Sequence, residues 1–221
     1  SMDMGLQNVV SAIDPDTGYK TINPYTIPQL EETRLICANH YGAKSWPPAA
    51  FNPNTNRLYL PLNEGCIEAG PDGRYEILTT GVQMREALLP DSNGRMGRIQ
   101  ALDLGNQEFD WLHRQPSPVI SSILATAGGL VFAGDLNRNF KALDEATGEI
   151  LWETVLDDIP SSTIVTYSVE DIQYVAIATG QTGYHVNDWA RMYDIFAEPQ
   201  GMPVNDSPKG GAAIWVFTLA R

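Results

Sequence analysis

Residues 129–153 read GLVFAGDLNRNFKALDEATGEILWE, and the pattern within them decides the fold. An apolar run, GLVFAG, passes through a polar turn into FKALD, and a Thr-Gly turn then leads into EILWE. Short β-prone runs separated by turn residues mark antiparallel strands. Three such strands closed by Trp152 make up most of one four-stranded propeller blade.

The unit recurs. Ala142, Asp144, Thr147, Gly148 and Trp152 define A-x-D-x-x-T-G-x-x-x-W. Ala101, Asp103 and Trp111 hold the same offsets, with Asn106 and Gln107 in place of Thr and Gly. Ala12, Asp14, Thr17 and Gly18 repeat it once more, with Ile22 where the tryptophan stood. The last two copies begin 41 residues apart, a propeller-repeat spacing. The small Ala allows neighbouring sheets to approach. The Asp and Thr side chains bond the turn backbone, and the Gly supplies positive φ. A tryptophan offers a broad face to bury, so Trp111 and Trp152 read as structural wedges between blades. One copy alone would read equally well as an ordinary hairpin with a core tryptophan; recurrence in phase favours the blade.

The bulk numbers agree with a globular β-rich chain. Of 221 residues, 43% are hydrophobic and 19% charged, with 19 Gly and 15 Pro for turns. The net charge of −13 and scattered basic residues disfavour nucleic acid and anionic membrane surfaces. No apolar run is long enough to span a membrane. The opening Ser1–Met2 reads as a cloning remnant, and no signal-peptide pattern follows it. That absence carries little weight in a sequence free to start in mid-protein. Cys37 and Cys66 stand 29 residues apart; free thiols and a bonded pair are both open readings. A bond would contribute about 3–4 kcal/mol and imply an oxidising compartment.

Strands are expected within residues 8–22, in 46–62 around Asn-Pro-Asn-Thr-Asn, in GRIQALDL and EFDWLHR, and through residues 121–153. TIVTYSVEDIQYVAIATG and AIWVFTLA supply a last blade short of one strand. Residues 23–45 and 63–96 read as long connections, the second with a strand-like YEILTTG. No long amphipathic helix is expected, only one or two turns at residues 189–197. Residues 1–221 therefore read as a single partial propeller of three to four blades.

Several blocks together closely resemble the quinoprotein alcohol dehydrogenases, pyrroloquinoline quinone (PQQ)-dependent enzymes of the methanol and ethanol dehydrogenase type. They are ILATAGGLVFAGD, KALDEATGEILWE, QYVAIATG, GGAAIWVFTL and ICANHYGAKSWPPAAFNPNTNRLYLPLNEGC. The resemblance covers nearly the whole chain. It implies an all-β, eight-bladed propeller with PQQ and calcium on its axis, of which this chain is the C-terminal part. It implies a Cys37–Cys66 disulfide and a periplasmic location. Lys44, Ser45 and Trp46 fall where the family approaches the quinone, with Ser45 where it commonly has Asn. The loop from Ser121 to Gly129 would face the axial cavity.

The family's calcium ligands and catalytic base lie in earlier blades, so neither catalytic nor metal-binding residues are assigned. Asp135, Asp157, Asp158, Asp188 and Asp194 read as solvated turn residues. His40, His113 and His185 lack partner spacing for metal or nucleophile chemistry. The expected function is part of an enzyme that oxidises an alcohol through PQQ and passes electrons to a cytochrome. The chain would supply cavity wall and ring closure, completed by the remaining blades. The rival reading is a non-catalytic half-propeller that docks on another chain or joins a second copy as a homodimer.

Overall fold

The computed structural model describes residues 4–73, 75–76, 81–180, 184–202 and 211–218. In chain order, the early strands are β1 (Val10–Ile13), β2 (Lys20–Ile22), β3 (Arg34–Cys37), β4 (Ala50–Asn52), β5 (Arg57–Asn63) and β6 (Gly65–Gly70). There follow β7 (Tyr75–Glu76), β8 (Gln83–Leu88), β9 (Gly97–Asp103), β10 (Glu108–Gln115), β11 (Leu124–Ala125) and β12 (Leu130–Gly134). The chain continues through β13 (Asn139–Asp144), β14 (Ile150–Val155), β15 (Val165–Val169) and β16 (Ile172–Gly180). A helix, α1 (Tyr184–Ala197), precedes β17 (Ala212–Thr218). The chain forms two compact units, Ser1–Ser45 with Asn63–Met96 and Trp46–Leu62 with Gly97–Arg221.

In the first unit, β1 and β2 form a hairpin, and β3-β6-β8-β7 form a four-stranded antiparallel sheet. Asn8 ties the two together. Its backbone N–H donates to the Cys37 carbonyl at 2.8 Å, and its Oδ1 accepts from the Cys37 N–H at 2.8 Å. Cys37 and Cys66 lie directly opposite on β3 and β6 and are joined by a disulfide.

The second unit holds sheets of order β10-β9-β5-β4, β11-β12-β13-β14 and β15-β16-β17. Tyr59, Ile99, Ala101 and Trp111 of the first of these pack against Val119, Ile123, Val131, Ala133 and Leu143. Phe132, Phe140 and Ala142 pack in turn against Ile164, Val175, Ile177 and Phe217. Burial of apolar faces between successive sheets holds the stack, at about 25 cal/mol for each Å² withdrawn from water. The sheets are antiparallel propeller blades. The motif residues meet across strand pairs, Ala101 opposite Trp111 and Ala142 opposite Trp152.

Three features depart from the sequence expectations. The supposed connections contain β3, β6 and β8, which form a sheet together with β7, a described part of the segment expected to be strand-like; residues 77–80 of that segment lie outside the described residues. Strands β6, β7 and β8 lie in the chain between β5 and β9, which are neighbours in another sheet, whereas β3 comes before β4. Pairing partners this far apart leave no local periodicity to read. Second, α1 runs for 14 residues, with Val186, Trp189, Ala190, Met192, Tyr193 and Ala197 buried. Third, Asp135 and Asp158 are only 1% and 0% exposed, so they are buried and not solvated.

Candidate functional site

The two ends of the blade stack in the second unit differ in chemistry. One end carries the Asp144–Gly148 turn. Trp111 lies against Gly148 and donates its indole N–H to the Glu145 carbonyl at 2.8 Å. The Glu145 carboxylate gathers Asn52 Nδ2 at 2.6 Å, Thr55 Oγ1 at 2.9 Å and Tyr59 Oη at 2.6 Å. Burial pushes the Glu145 carboxyl up, but these donors outweigh it and hold its pKa below the ordinary value. Tyr59 is pushed up, first by burial and then by the carboxylate it bonds. All the donors converge on one oxygen, which makes this end a structural clamp.

The opposite end is polar. Asp135, in the β12–β13 turn, accepts from Lys141 Nζ at 3.2 Å, Gln115 Nε2 at 3.3 Å and Asn139 Nδ2 at 3.1 Å. Burial raises its pKa, against the lowering pull of Lys141 and Asn139. Asn137 Nδ2 donates to Tyr193 Oη at 2.9 Å, fastening α1 to the same turn. Asp157 accepts from Trp215 Nε1 at 2.6 Å and Thr179 Oγ1 at 2.8 Å, which lowers its pKa. Asp158 Oδ1 accepts from the Ile159 N–H at 2.7 Å, whereas its buried Oδ2 has no hydrogen-bond partner among the described residues.

The edge strands β4 and β11 begin at this polar end. The Ile123 N–H donates to the Pro48 carbonyl at 2.9 Å, joining the segment before β11 to the segment before β4. Ser121 and Ser122, expected beside a cavity, are buried. Ser121 Oγ accepts from the Gly134 N–H at 2.7 Å, and Ser122 Oγ accepts from the Ile164 N–H at 2.8 Å. Their hydroxyls serve the joints between strands. Trp46, two residues before Pro48, is 74% exposed.

Lys44 and Ser45 close one stretch of the first unit, and Trp46 opens the second. Lys44 Nζ donates to the Ser45 carbonyl at 2.8 Å. Lys44 is exposed, yet crowding costs its ammonium some hydration and pulls its pKa below the ordinary value. The His40 ring meets the Tyr41 ring at a 45° tilt with centroids 4.1 Å apart; the His185 side chain lies outside the described residues. Among the described residues, no group of three or more His, Cys, Asp or Glu side chains could hold a metal ion. No described helix is long and apolar enough to cross a membrane. Trp111 is buried at 8% exposure, whereas Trp152 is 40% exposed and meets Phe140 and Phe217 edge-on.

Residues 76–175 match the family described as PQQ, glucose/ethanol/alcohol dehydrogenase, β-propeller domain. The chain belongs to the quinoprotein alcohol dehydrogenase family. It is 29% identical over 192 residues to the lanthanide-dependent methanol dehydrogenase of Methylorubrum extorquens, covering 80% of this chain and 31% of that protein. It is 28% identical over 217 residues to the quinoprotein alcohol dehydrogenase PedE of Pseudomonas putida, covering 95% and 33% respectively. A europium-containing methanol dehydrogenase superposes with a TM-score of 0.74 at 24% identity, covering 96% of this chain and 40% of that one. The chain thus spans about a third of the length of these two curated quinoprotein relatives.

Proposed function

We propose that this chain forms part of a PQQ-dependent alcohol dehydrogenase, in which Lys44, Ser45 and Trp46 contact the quinone. Trp46 carries the argument. A large indole left 74% exposed, on a segment braced to the next blade through Pro48, is held ready for a flat ligand. PQQ is planar and bears carboxylates, so a broad aromatic face and the Lys44 cation suit its chemistry. Ser45 offers one hydroxyl where an amide would offer donor and acceptor together. When bound, PQQ supplies the two-electron acceptor for alcohol oxidation. The described residues do not fit calcium, so no step through that ion is assigned to this chain.

The base that takes the alcohol proton and the ligands of any metal would come from blades outside this chain. The disulfide suits an oxidising compartment, and the periplasm is the proposed location. The charge of −13 would steer a basic cytochrome as electron acceptor. In a longer protein carrying this segment, Trp46→Ala should lower PQQ occupancy, read from quinone absorbance, by about tenfold or more. Unchanged occupancy would remove Trp46 from the site. The chain alone, given PQQ and Ca²⁺, should show no dye-linked alcohol oxidation; robust turnover would refute its role as a part.

One observation favours a second reading. The outer face of the last sheet exposes Val165, Tyr167, Val169, Ile214 and Val216. Further blades would cover it in the first reading. In the second, another copy covers it and the chain is a self-associating half-propeller without catalysis of its own.

A further inference from the structure

Leu89, just after β8, and Met96, just before β9, are tied to the same residue. The Leu89 N–H donates to the Glu64 carbonyl at 3.3 Å, and the Glu64 N–H donates to the Met96 carbonyl at 2.8 Å. Between these anchors a short helical turn, Pro90–Ser92, runs into Asn93, Gly94 and Arg95. The Arg95 N–H donates to the Ser92 carbonyl at 3.0 Å. Asn93 has φ 52° and ψ 42°, and Gly94 has φ 78°. Two successive residues of positive φ inside such a bond make a type I′ turn, for which Asn-Gly is a favoured pair.

The pair that suits the turn also carries a reaction. Ser92 is buried, so the turn is rooted, while Asn93 at its tip is exposed to water. Among the described residues, neither the Asn93 amide nor the Gly94 N–H makes a hydrogen bond. Other asparagine amides are held. Asn8 Nδ2 donates to the Leu35 carbonyl at 2.9 Å, Asn23 Nδ2 to the Asn8 carbonyl at 3.0 Å and Asn52 Nδ2 to Glu145 at 2.6 Å. Val9, Pro24 and Pro53 follow those three. A branched side chain shields the backbone nitrogen next to it, and proline has no N–H to lose. Asn93 is followed by glycine, as no other asparagine in the sequence is.

We infer that Asn93–Gly94 is a site of spontaneous deamidation, a self-modification whose co-reactant is water. The Gly94 nitrogen gives its proton to hydroxide and attacks Asn93 Cγ. The new N–Cγ bond closes a succinimide ring, the Cγ–Nδ2 bond breaks, and Nδ2 leaves as ammonia after taking a proton from water. Water then opens the ring at either carbonyl. One opening gives aspartate on the original main chain; the other gives isoaspartate, whose main chain runs through the side chain. Amide and water become acid and ammonia, and nothing is oxidised or reduced. Ring closure needs rotation about the Asn93 Cα–C bond, which the bond from Arg95 to Ser92 opposes at the tip. Aspartate tolerates the left-handed conformation, so it keeps the turn and adds a negative charge. Isoaspartate lengthens a turn whose two ends are fixed on Glu64, and the turn must open.

The test is ageing of the full chain in mildly alkaline and mildly acidic buffer, followed by peptide mapping in a mass spectrometer. The expected result is the mass gain of an amide-to-acid exchange at Asn93 ahead of every other asparagine, faster in alkaline buffer. It should appear as two separable isomers, one of which accepts a methyl group from an isoaspartyl methyltransferase. Gly94→Asn tolerates positive φ while shielding the nitrogen, and should slow the gain at Asn93 severalfold. The isolated isoaspartate form should melt below Asn93→Asp, which keeps the turn. Other asparagines reacting before Asn93, a single aspartate product, or an unchanged rate in Gly94→Asn would each overturn the inference.

Discussion

Gln107 takes the backbone shape that Gly148 takes one repeat later, with φ of 59° against 74°. A side chain in this region costs about 1–2 kcal/mol, partly offset because glycine loses more freedom on folding. Gln107→Gly should therefore raise stability by up to about 1 kcal/mol, seen as a higher urea midpoint with an unchanged slope. A lower midpoint would mean the glutamine makes contacts that outweigh its backbone strain. Glu145 gives a pH-dependent counterpart. Its carboxyl titrates lower in the folded state than its ordinary value of 4.5, so the unfolded chain binds that proton more readily. Its contribution is complete above that value and is lost as pH falls through the lower folded one. Glu145→Gln should cost on the order of 2 kcal/mol at neutral pH and flatten the acid limb of the stability curve. A variant with the wild-type acid limb would place the clamp's strength elsewhere.

At the scale of elements, the two motif tryptophans are unequal. Trp111 is buried and hydrogen-bonded on the turn of the next blade, so Trp111→Ala should cost about 3–5 kcal/mol. Trp152, at 40% exposure, should cost clearly less when truncated; equal losses in chemical denaturation would contradict the packing described. Opening the Cys37–Cys66 bond should cost about 2–4 kcal/mol and add one hydrogen per sulfur on mass analysis after reduction. The repeat strands were legible because Ala, Asp, Thr-Gly and Trp each do a local job at a fixed offset. Strands β3, β6 and β8 were not, since their pairings form across the chain, although β7 beside them falls in the segment read as strand-like. Helix α1 was hidden by its aromatic and Asp content, and tertiary burial of Trp189 and Tyr193 decides it. The polar residues of the candidate site told least. Asp135 and Asp158 look like turn residues in sequence, and only packing shows that they are inside.

For the whole molecule, the bare face of the last sheet has the most direct experimental signature. Val165, Tyr167, Ile214 and Val216 leave a β-sheet with apolar side chains in water, which invites association. The isolated chain should sediment with concentration dependence, and Ile214→Lys should reduce that dependence without lowering the melting temperature. A strictly monomeric chain at all concentrations would show that the face is tolerated in solvent.

The long excursion in the last blade also bears on assembly. Gly180 pairs with Ala212, so β17 reaches its partner only across the connection of residues 181–211. A loop of that length costs about 3 kcal/mol of chain entropy before its pairing is rewarded, whereas β11 to β14 follow one another through short turns. Folding should start in the β11–β14 sheet and finish with β17. Hydrogen exchange would then find its slowest amides in β12 and β13 and its fastest blade amides in β17. The same order of events leaves the last sheet open longest during synthesis, when a neighbouring strand can still be chosen.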